Sequence, residues 1–172
     1  MSTPELRVTP SGHHIWDEWA VEEETAVLLY GVVKAAKPEL VVECGTGNGY
    51  ATSYLLGGLT ENGKGRLVTF EPDDSFRTST SARFGDSLPV EFREGTSKGT
   101  DLRPDLVFVD TYGGIREEVV VFWLTHPDRP LTVIHDACRN YPFHLGEGVH
   151  IPGHDGLWIG RAKPVHSRFT KE

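Results

Sequence analysis

The sequence predicts an α/β fold: a doubly wound, mostly parallel sheet with helices on both faces, ending in an antiparallel hairpin. Three observations carry this expectation. Five short apolar runs, at residues 40–44, 66–71, 90–93, 105–109 and 131–135, recur with helical or loop sequence between them. They are rich in Val, Leu and Ile without strict alternation, as in strands buried on both faces of a parallel sheet. Two later runs, 148–151 and 157–162, flank the turn-rich Pro152-Gly153-His154-Asp155-Gly156 and read as a hairpin. Strand–helix alternation of this kind implies right-handed crossovers and a ligand at the carboxyl ends of the strands.

The elements follow in order. Residues 1–21 form an N-terminal arm, in which Pro4 and Pro10 mark 1–11 as loosely ordered. Residues 22–37 read as a helix with Ala26, Leu29, Val33 and Ala36 on one stripe. Glu22, Glu23 and Glu24 in its first turn and Lys34 and Lys37 in its last suit the helix dipole, and Pro38 stops it. Between the first two strands, 50–59 carries Ala51, Leu55 and Leu59 in register, and Gly57-Gly58 marks an early end. Residues 73–84 form a polar helix with Asp73 or Asp74 as N-cap before Phe76. Residues 115–124 place Ile115, Val119, Phe122 and Trp123 on one side. The expected organisation is the arm, a single domain over 22–166 and a short tail at 167–172.

Bulk properties narrow the function classes. At 172 residues the chain has room for one core. A net charge of -8 argues against binding a phosphate backbone, which rests on clustered Lys and Arg. The two cysteines, Cys44 and Cys138, sit in apolar strand-like contexts and read as buried thiols of a reducing compartment. The first residues lack the basic and apolar regions of a signal peptide, and no apolar run approaches the roughly 20 residues of a bilayer span. The expectation is a cytoplasmic protein without membrane contact.

The strongest local signal is Glu43-Cys44-Gly45-Thr46-Gly47-Asn48-Gly49, between the first strand and the next helix. Glycines there permit a tight turn and close approach to a ligand at the helix N-terminus. The dinucleotide fingerprint asks for a further glycine where Tyr50 stands. Glu43, at the strand's end, suits a cationic, amino-acid-bearing cofactor better than a pyrophosphate. The segment resembles motif I of the class I S-adenosylmethionine-dependent methyltransferases, whose fold is Rossmann-like. That resemblance implies that Glu43, Gly45, Thr46, Gly47, Gly49 and Tyr50 wrap the methionine part of S-adenosylmethionine.

Glu71 ends the second strand and precedes Pro72, about 20 residues beyond the glycine turn, where a carboxylate binds ribose hydroxyls. A solvated acid capping the next helix is the alternative. After the third strand, the resemblance implies adenine contacts from Thr96 and Ser97. The fourth strand ends in Asp110-Thr111-Tyr112 and the fifth in His135-Asp136-Ala137. Over residues 22–137 the chain is similar to small-molecule O-methyltransferases with His-Asp-Ala after the fifth strand.

Metal-dependent members hold a divalent cation with carboxylates at these two strand ends, which makes Asp110 and Asp136 candidate ligands for Mg²⁺. Thr111 and Ala137 depart from that pattern. Asp110, His135 and Asp136 are the candidate catalytic residues, with His135 as general base because a free imidazole titrates near neutrality. A histidine bonded to neighbouring groups is the competing reading. His150, His154 and Asp155 are read as structural, since their spacing on a hairpin does not bring both imidazoles to one face. The pair His13-His14 reads as exposed arm. Trp16 and Trp19 suit either a lid over the cofactor or ordinary packing.

The expected acceptor is a hydroxyl of a small molecule. Nucleic acid ranks second, because Asp110-Thr111-Tyr112 lacks the prolines of the amino-methyltransferase motif. A catalytically degenerate binding module is a third reading. Residues 140–148 are short for a substrate-binding insertion, so a homodimer partner is expected to complete the acceptor wall.

Overall fold

The computed structural model describes residues 7–8, 14–15, 20–137, 141–153 and 155–164. Trp16, Trp19, His13, Cys138 and His154 lie outside the described residues, and with them the lid reading of the two tryptophans. The arm departs from expectation at one point: β1 (Arg7–Val8) pairs antiparallel with β2 (His14–Ile15).

The main elements are α1 (Glu23–Ala36), β3 (Leu40–Cys44), α2 (Tyr50–Asn62), β4 (Arg66–Glu71), α3 (Asp74–Phe84), β5 (Val90–Glu94), β6 (Leu106–Val109), α4 (Gly113–Leu124), β7 (Leu131–His135), β8 (Gly146–Ile151) and β9 (Leu157–Ala162). A short 3₁₀ turn, Phe143–Leu145, leads into β8. The seven-stranded sheet has the order β5-β4-β3-β6-β7-β9-β8. Strands β3 to β7 are parallel, and β9 and β8 close the sheet as an antiparallel hairpin, as the sequence predicts. The strand order reverses between β3 and β6, so the crevice above their carboxyl ends is where this architecture places a ligand.

Alternate residues of the central strands feed two cores. Val41, Leu67, Leu106, Phe108 and Val133 pack with Ala26, Leu29 and Val33 of α1 and Leu55 and Leu59 of α2. Val42, Val68, Val107, Val109 and Ile134 pack with Val119, Val120 and Trp123 of α4 and with Trp158 of β9. Each fully buried aliphatic side chain of these layers contributes about 1.5–3 kcal/mol.

Element boundaries shift where side chains intervene. Helix α2 runs through Gly57-Gly58 to Asn62 because Gly58 sits against Val33, where a Cβ would meet the valine methyl at 2.8 Å. Glycine at this position lets α1 and α2 approach closely instead of ending the helix. Strand β6 starts at Leu106, not Asp105, whose carboxylate accepts the amides of Glu39 (2.8 Å) and Leu40 (3.2 Å) and fastens β6 to β3. Asp73 is the N-cap of α3, accepting from the amides of Ser75 and Phe76. Among the described residues, no helix is long and apolar enough to cross a membrane.

Candidate functional site

A cleft of about 370 Å³ opens at the carboxyl ends of β3, β4, β6 and β7, within the size range of small-molecule sites. One half is the turn after β3, with Gly45, Gly47, Glu71 and Phe76 at its wall. The Gly47 amide donates to Glu71 Oε2 (2.8 Å), and the Asp73 amide donates to Oε1 (2.9 Å). Two backbone donors thereby orient the Glu71 carboxylate beside the turn, with oxygen lone pairs remaining for further donors.

The glycines answer to two demands. Gly45 has φ +98°, and a Cβ there would lie 1.9 Å from the Asp110 carbonyl oxygen, so it lets β3 and β6 close together at their ends. Gly49, the N-cap of α2, sits against Thr80 and Phe84 of α3. Of the three glycines in this turn, Gly45 and Gly47 reach the cleft wall and Gly49 does not.

Several sequence-predicted contacts fall behind that wall. Glu43 is fully buried: Thr52 Oγ1 donates to its Oε2 (2.7 Å), while Oε1 has no hydrogen-bond partner among the described residues. Burial pushes its carboxyl up to about 8, so at neutral pH it is mostly uncharged. The Glu43 side chain, expected to face a cationic ligand, points into the protein beside Thr52. The Ser97 hydroxyl accepts from Trp123 Nε1 (3.0 Å) and lies 2.8 Å from Cys44 Sγ inside the second core. Thr46 is buried with its hydroxyl 2.6 Å from that of Thr69. Tyr50, whose ring packs against Tyr54, is outside the cleft lining, as are Pro72 and Thr96.

The other half of the cleft is a charged cluster at the ends of β6 and β7. It contains Asp110, Arg116, His135 and Asp136, with Tyr112 and Asp155 at the rim. His135 Nδ1 is 3.2 Å from Asp110 Oδ1, and Nε2 is 2.9 Å from Glu22 Oε2. Burial opposes charge on the ring, but Asp110 and Glu22 hold it protonated, with a pKa of about 10. Glu22 reciprocates: against the upward pull of burial, His135 holds its carboxyl at about 2. Burial also raises Asp110, yet His135 and then Arg116 keep it below the ordinary carboxylate range. Both ring nitrogens of His135, the expected general base, thus face carboxylates, the arrangement of a histidine bonded to neighbouring groups.

Arg116 is buried beneath the cleft floor. Its Nη2 donates to Asp110 Oδ1 (2.9 Å), one Nη1 hydrogen bond goes to Asp136 Oδ2, and Nε donates to the Thr111 carbonyl (2.6 Å). The carboxylate and imidazole donors of Asp110, His135 and Asp136 lie within 4.8 Å of one another, close enough for a metal ion. The chemistry of the set does not fit one, however: a fixed cation is already bonded to both carboxylates. The Arg116 guanidinium therefore stands between the two carboxylates expected to hold Mg²⁺, Asp110 and Asp136.

Arg116 and Glu22 carried a readable signal that the motif-based reading missed. Arg116 is in register with Val119, Val120 and Trp123, and Glu22 with Ala26, Leu29 and Val33. A charged residue on the buried stripe of a helix needs a partner inside. On the hairpin, His150 is exposed, with its ring centroid 4.6 Å from that of Phe143 and the two planes nearly perpendicular.

No protein-family model matches the sequence, and no curated protein matches it. Solved structures do match in fold. The methyltransferase PaMTH1 of Podospora anserina, solved with S-adenosylhomocysteine, superposes with a TM-score of 0.70 at 14% identity, over 86% of this chain and 81% of that one. A methyltransferase from Geobacter sulfurreducens gives 0.66 at 22% identity, over 84% and 80% of the two chains. The O-methyltransferase TomG of Streptomyces achromogenes, involved in tomaymycin synthesis and solved with S-adenosylmethionine, gives 0.63 at 21%, over 86% and 83%. The chain has the fold of the class I methyltransferases.

Proposed function

We propose that the chain is an S-adenosylmethionine-dependent methyltransferase that methylates a hydroxyl of a small molecule. The observation that carries this reading is the Glu71 carboxylate, held by two backbone amides beside the Gly45–Gly47 turn at the strand-order switch. A carboxylate so placed accepts hydrogen bonds from the hydroxyl pair of a ribose, and the turn brings backbone within reach of the adjoining part of a nucleoside ligand. Charge supports the same ligand. Carboxylates of Glu71, Asp110, Asp136 and Asp155 outnumber the cations Arg116 and His135 around the cleft, which favours a cofactor of net positive charge.

Gly45, Gly47, Glu71 and Asp110 are the proposed cofactor contacts among the expected residues. When bound, S-adenosylmethionine supplies a methyl group on a sulfonium sulfur, which leaves as a thioether while the acceptor oxygen forms the new bond to carbon. The chain's own part is to align the acceptor and remove its proton. Asp110 and Asp136 are the proposed acceptor-side carboxylates, with Asp136 proposed to receive that proton. His135 holds Asp110 and Glu22 in place as their shared cation. PaMTH1 and TomG, which share the fold, were solved with S-adenosylhomocysteine and S-adenosylmethionine respectively, in line with this choice.

Calorimetric titration with S-adenosylmethionine, S-adenosylhomocysteine and NAD, alongside Glu71→Ala, tests the reading. Binding of the first two only, weakened at least about tenfold in the variant through loss of charge-assisted hydrogen bonds, is expected. Binding of NAD alone, or none at all, removes it. One observation favours a second reading, a cofactor-binding module without transfer: His135 and Arg116 are already engaged by protein groups. Cofactor binding without turnover of any hydroxylated acceptor is the outcome expected of such a module. Completion of the acceptor wall by a second copy of the chain belongs to the main reading, and a strict monomer in light scattering removes that part.

A further inference from the structure

We propose that the Arg116 guanidinium is the resident cation of this cleft, occupying the space between Asp110 and Asp136 that a divalent ion would take, so that the charged half works without metal. Four bonds fix it there. Two join it to the carboxylates, one to Asp110 Oδ1 at 2.9 Å and one to Asp136 Oδ2. Two join it to main-chain carbonyls at the strand ends, from Nε to Thr111 at 2.6 Å and from Nη1 to His135 at 3.4 Å. The protein bends its backbone to complete the arrangement: Asp136 stands at φ +57°, a left-handed conformation that Asp tolerates better than most residues.

A guanidinium in this position excludes a metal for two reasons. It stays charged at every physiological pH, so it cannot leave by losing a proton as a lysine does. A divalent ion brought between the same carboxylates would meet that charge at contact distance in a half-buried site, where repulsion is weakly screened. The second cluster of possible ligands, Glu22, His135 and Asp155, is closed in another way, because His135 Nε2 already bonds the Glu22 carboxylate. The positional claim is independent of the methyl-transfer reading. Its consequence for the acceptor rests on that reading: without an ion to chelate two neighbouring oxygens, a single hydroxyl held by hydrogen bonds is a sufficient acceptor.

The test is titration with Mn²⁺, followed by electron paramagnetic resonance, of the full chain, of Arg116→Met, and of Arg116→Met combined with Asp110→Asn. The wild type is expected to take up no stoichiometric Mn²⁺. Arg116→Met is expected to bind one ion at least about tenfold more tightly than any wild-type uptake, since the guanidinium charge between the two carboxylates is gone. The double variant is expected to lose that ion. Thermal melts are the second readout: Mn²⁺ should raise the melting temperature of Arg116→Met and leave Arg116→Lys, which keeps a charge in place, unchanged. One Mn²⁺ bound by the wild type and lost in Asp110→Asn overturns the proposal, and this arm decides even if Arg116→Met does not fold. A folded Arg116→Met that binds no Mn²⁺ overturns it too. None of these outcomes depends on cofactor binding, so failure of the methyltransferase reading is distinguishable.

Discussion

His135 Nε2 and Glu22 Oε2 meet at 2.9 Å across 113 residues of sequence, joining the end of β7 to the start of α1. Thr25 donates to the same Glu22 oxygen at 2.9 Å, and the Asp155 amide donates to the other at 3.3 Å. The N-terminal edge of the cleft is therefore held by one buried ion pair. Removing Glu22 breaks the buried pair and takes the acceptor from Thr25 and the Asp155 amide, so Glu22→Ala is expected to cost about 3 kcal/mol in urea unfolding. A loss within the ordinary range of surface substitutions, about 0.5 kcal/mol, would mean that the pair does not fasten this edge.

The same pair sets a pH window. Glu22 has its pKa lowered from 4.5 to about 2, so its contribution is complete above pH 4.5 and fades as pH falls toward 2. His135 has its pKa raised from 6.5 to about 10, so its contribution is complete below pH 6.5 and fades as pH rises toward 10. Unfolding midpoints measured across pH are expected to decline on the alkaline side, with the slope between 6.5 and 10 flattened in His135→Gln. An identical slope in that variant would show that another group titrates there.

Glu43 acts in a neighbouring window. Its carboxyl holds a proton up to about pH 8 in the folded chain and only to about 4.5 when ordinary, so stability falls as pH rises from 4.5 to 8. Glu43→Gln keeps the shape and cannot ionise. It is expected to flatten that part of the curve while leaving cofactor affinity nearly unchanged, because the side chain lies behind the cleft. A large affinity loss in a variant of native stability would place Glu43 among the ligand contacts instead.

Gly45→Ala is the most disruptive small change expected. The added methyl would collide with the Asp110 carbonyl, and alanine is strained at φ +98°. Left-handed strain and overpacking together amount to about 2–5 kcal/mol, readable as a fall in the denaturation midpoint. Wild-type stability in this variant would mean that the ends of β3 and β6 are looser than they stand here.

Ser97→Ala separates packing from ligand contact. It leaves the Trp123 indole N–H and the Cys44 thiol without their shared partner inside the core. The expected effect is a stability loss of about 1–3 kcal/mol with S-adenosylhomocysteine affinity retained. Affinity lost at unchanged stability would restore Ser97 to the adenine site.

The fold was legible because its signals are local. Apolar runs at 40–44, 66–71 and 131–135 match strands β3, β4 and β7 residue for residue, and the turn-rich segment after Ile151 joins β8 to β9. Boundaries slipped where a long-range contact decided them, as with Gly58 against Val33 and Asp105 against the β3 amides. The candidate site was legible at Glu71, Asp110, His135 and Asp136, which stand at strand ends and all line the cleft. Which way a side chain turns was not. Glu43 and Ser97 sit beside the cleft in sequence but alternate into the interior, and the roles of Arg116 and Glu22 emerge only when β6, β7 and two helix termini meet.

The pairing of β3 with β6 has a consequence for folding. Val41 lies opposite Leu106, so this pairing brings together neighbours separated in the chain by β4, β5 and the helices between them. Contacts of such sequence separation form slowly, and a chain that has folded only its β3–β5 half has a glycine turn but no opposite wall. The cleft therefore exists only in finished molecules, and a ligand that fills it discriminates between a completed chain and a partly assembled one.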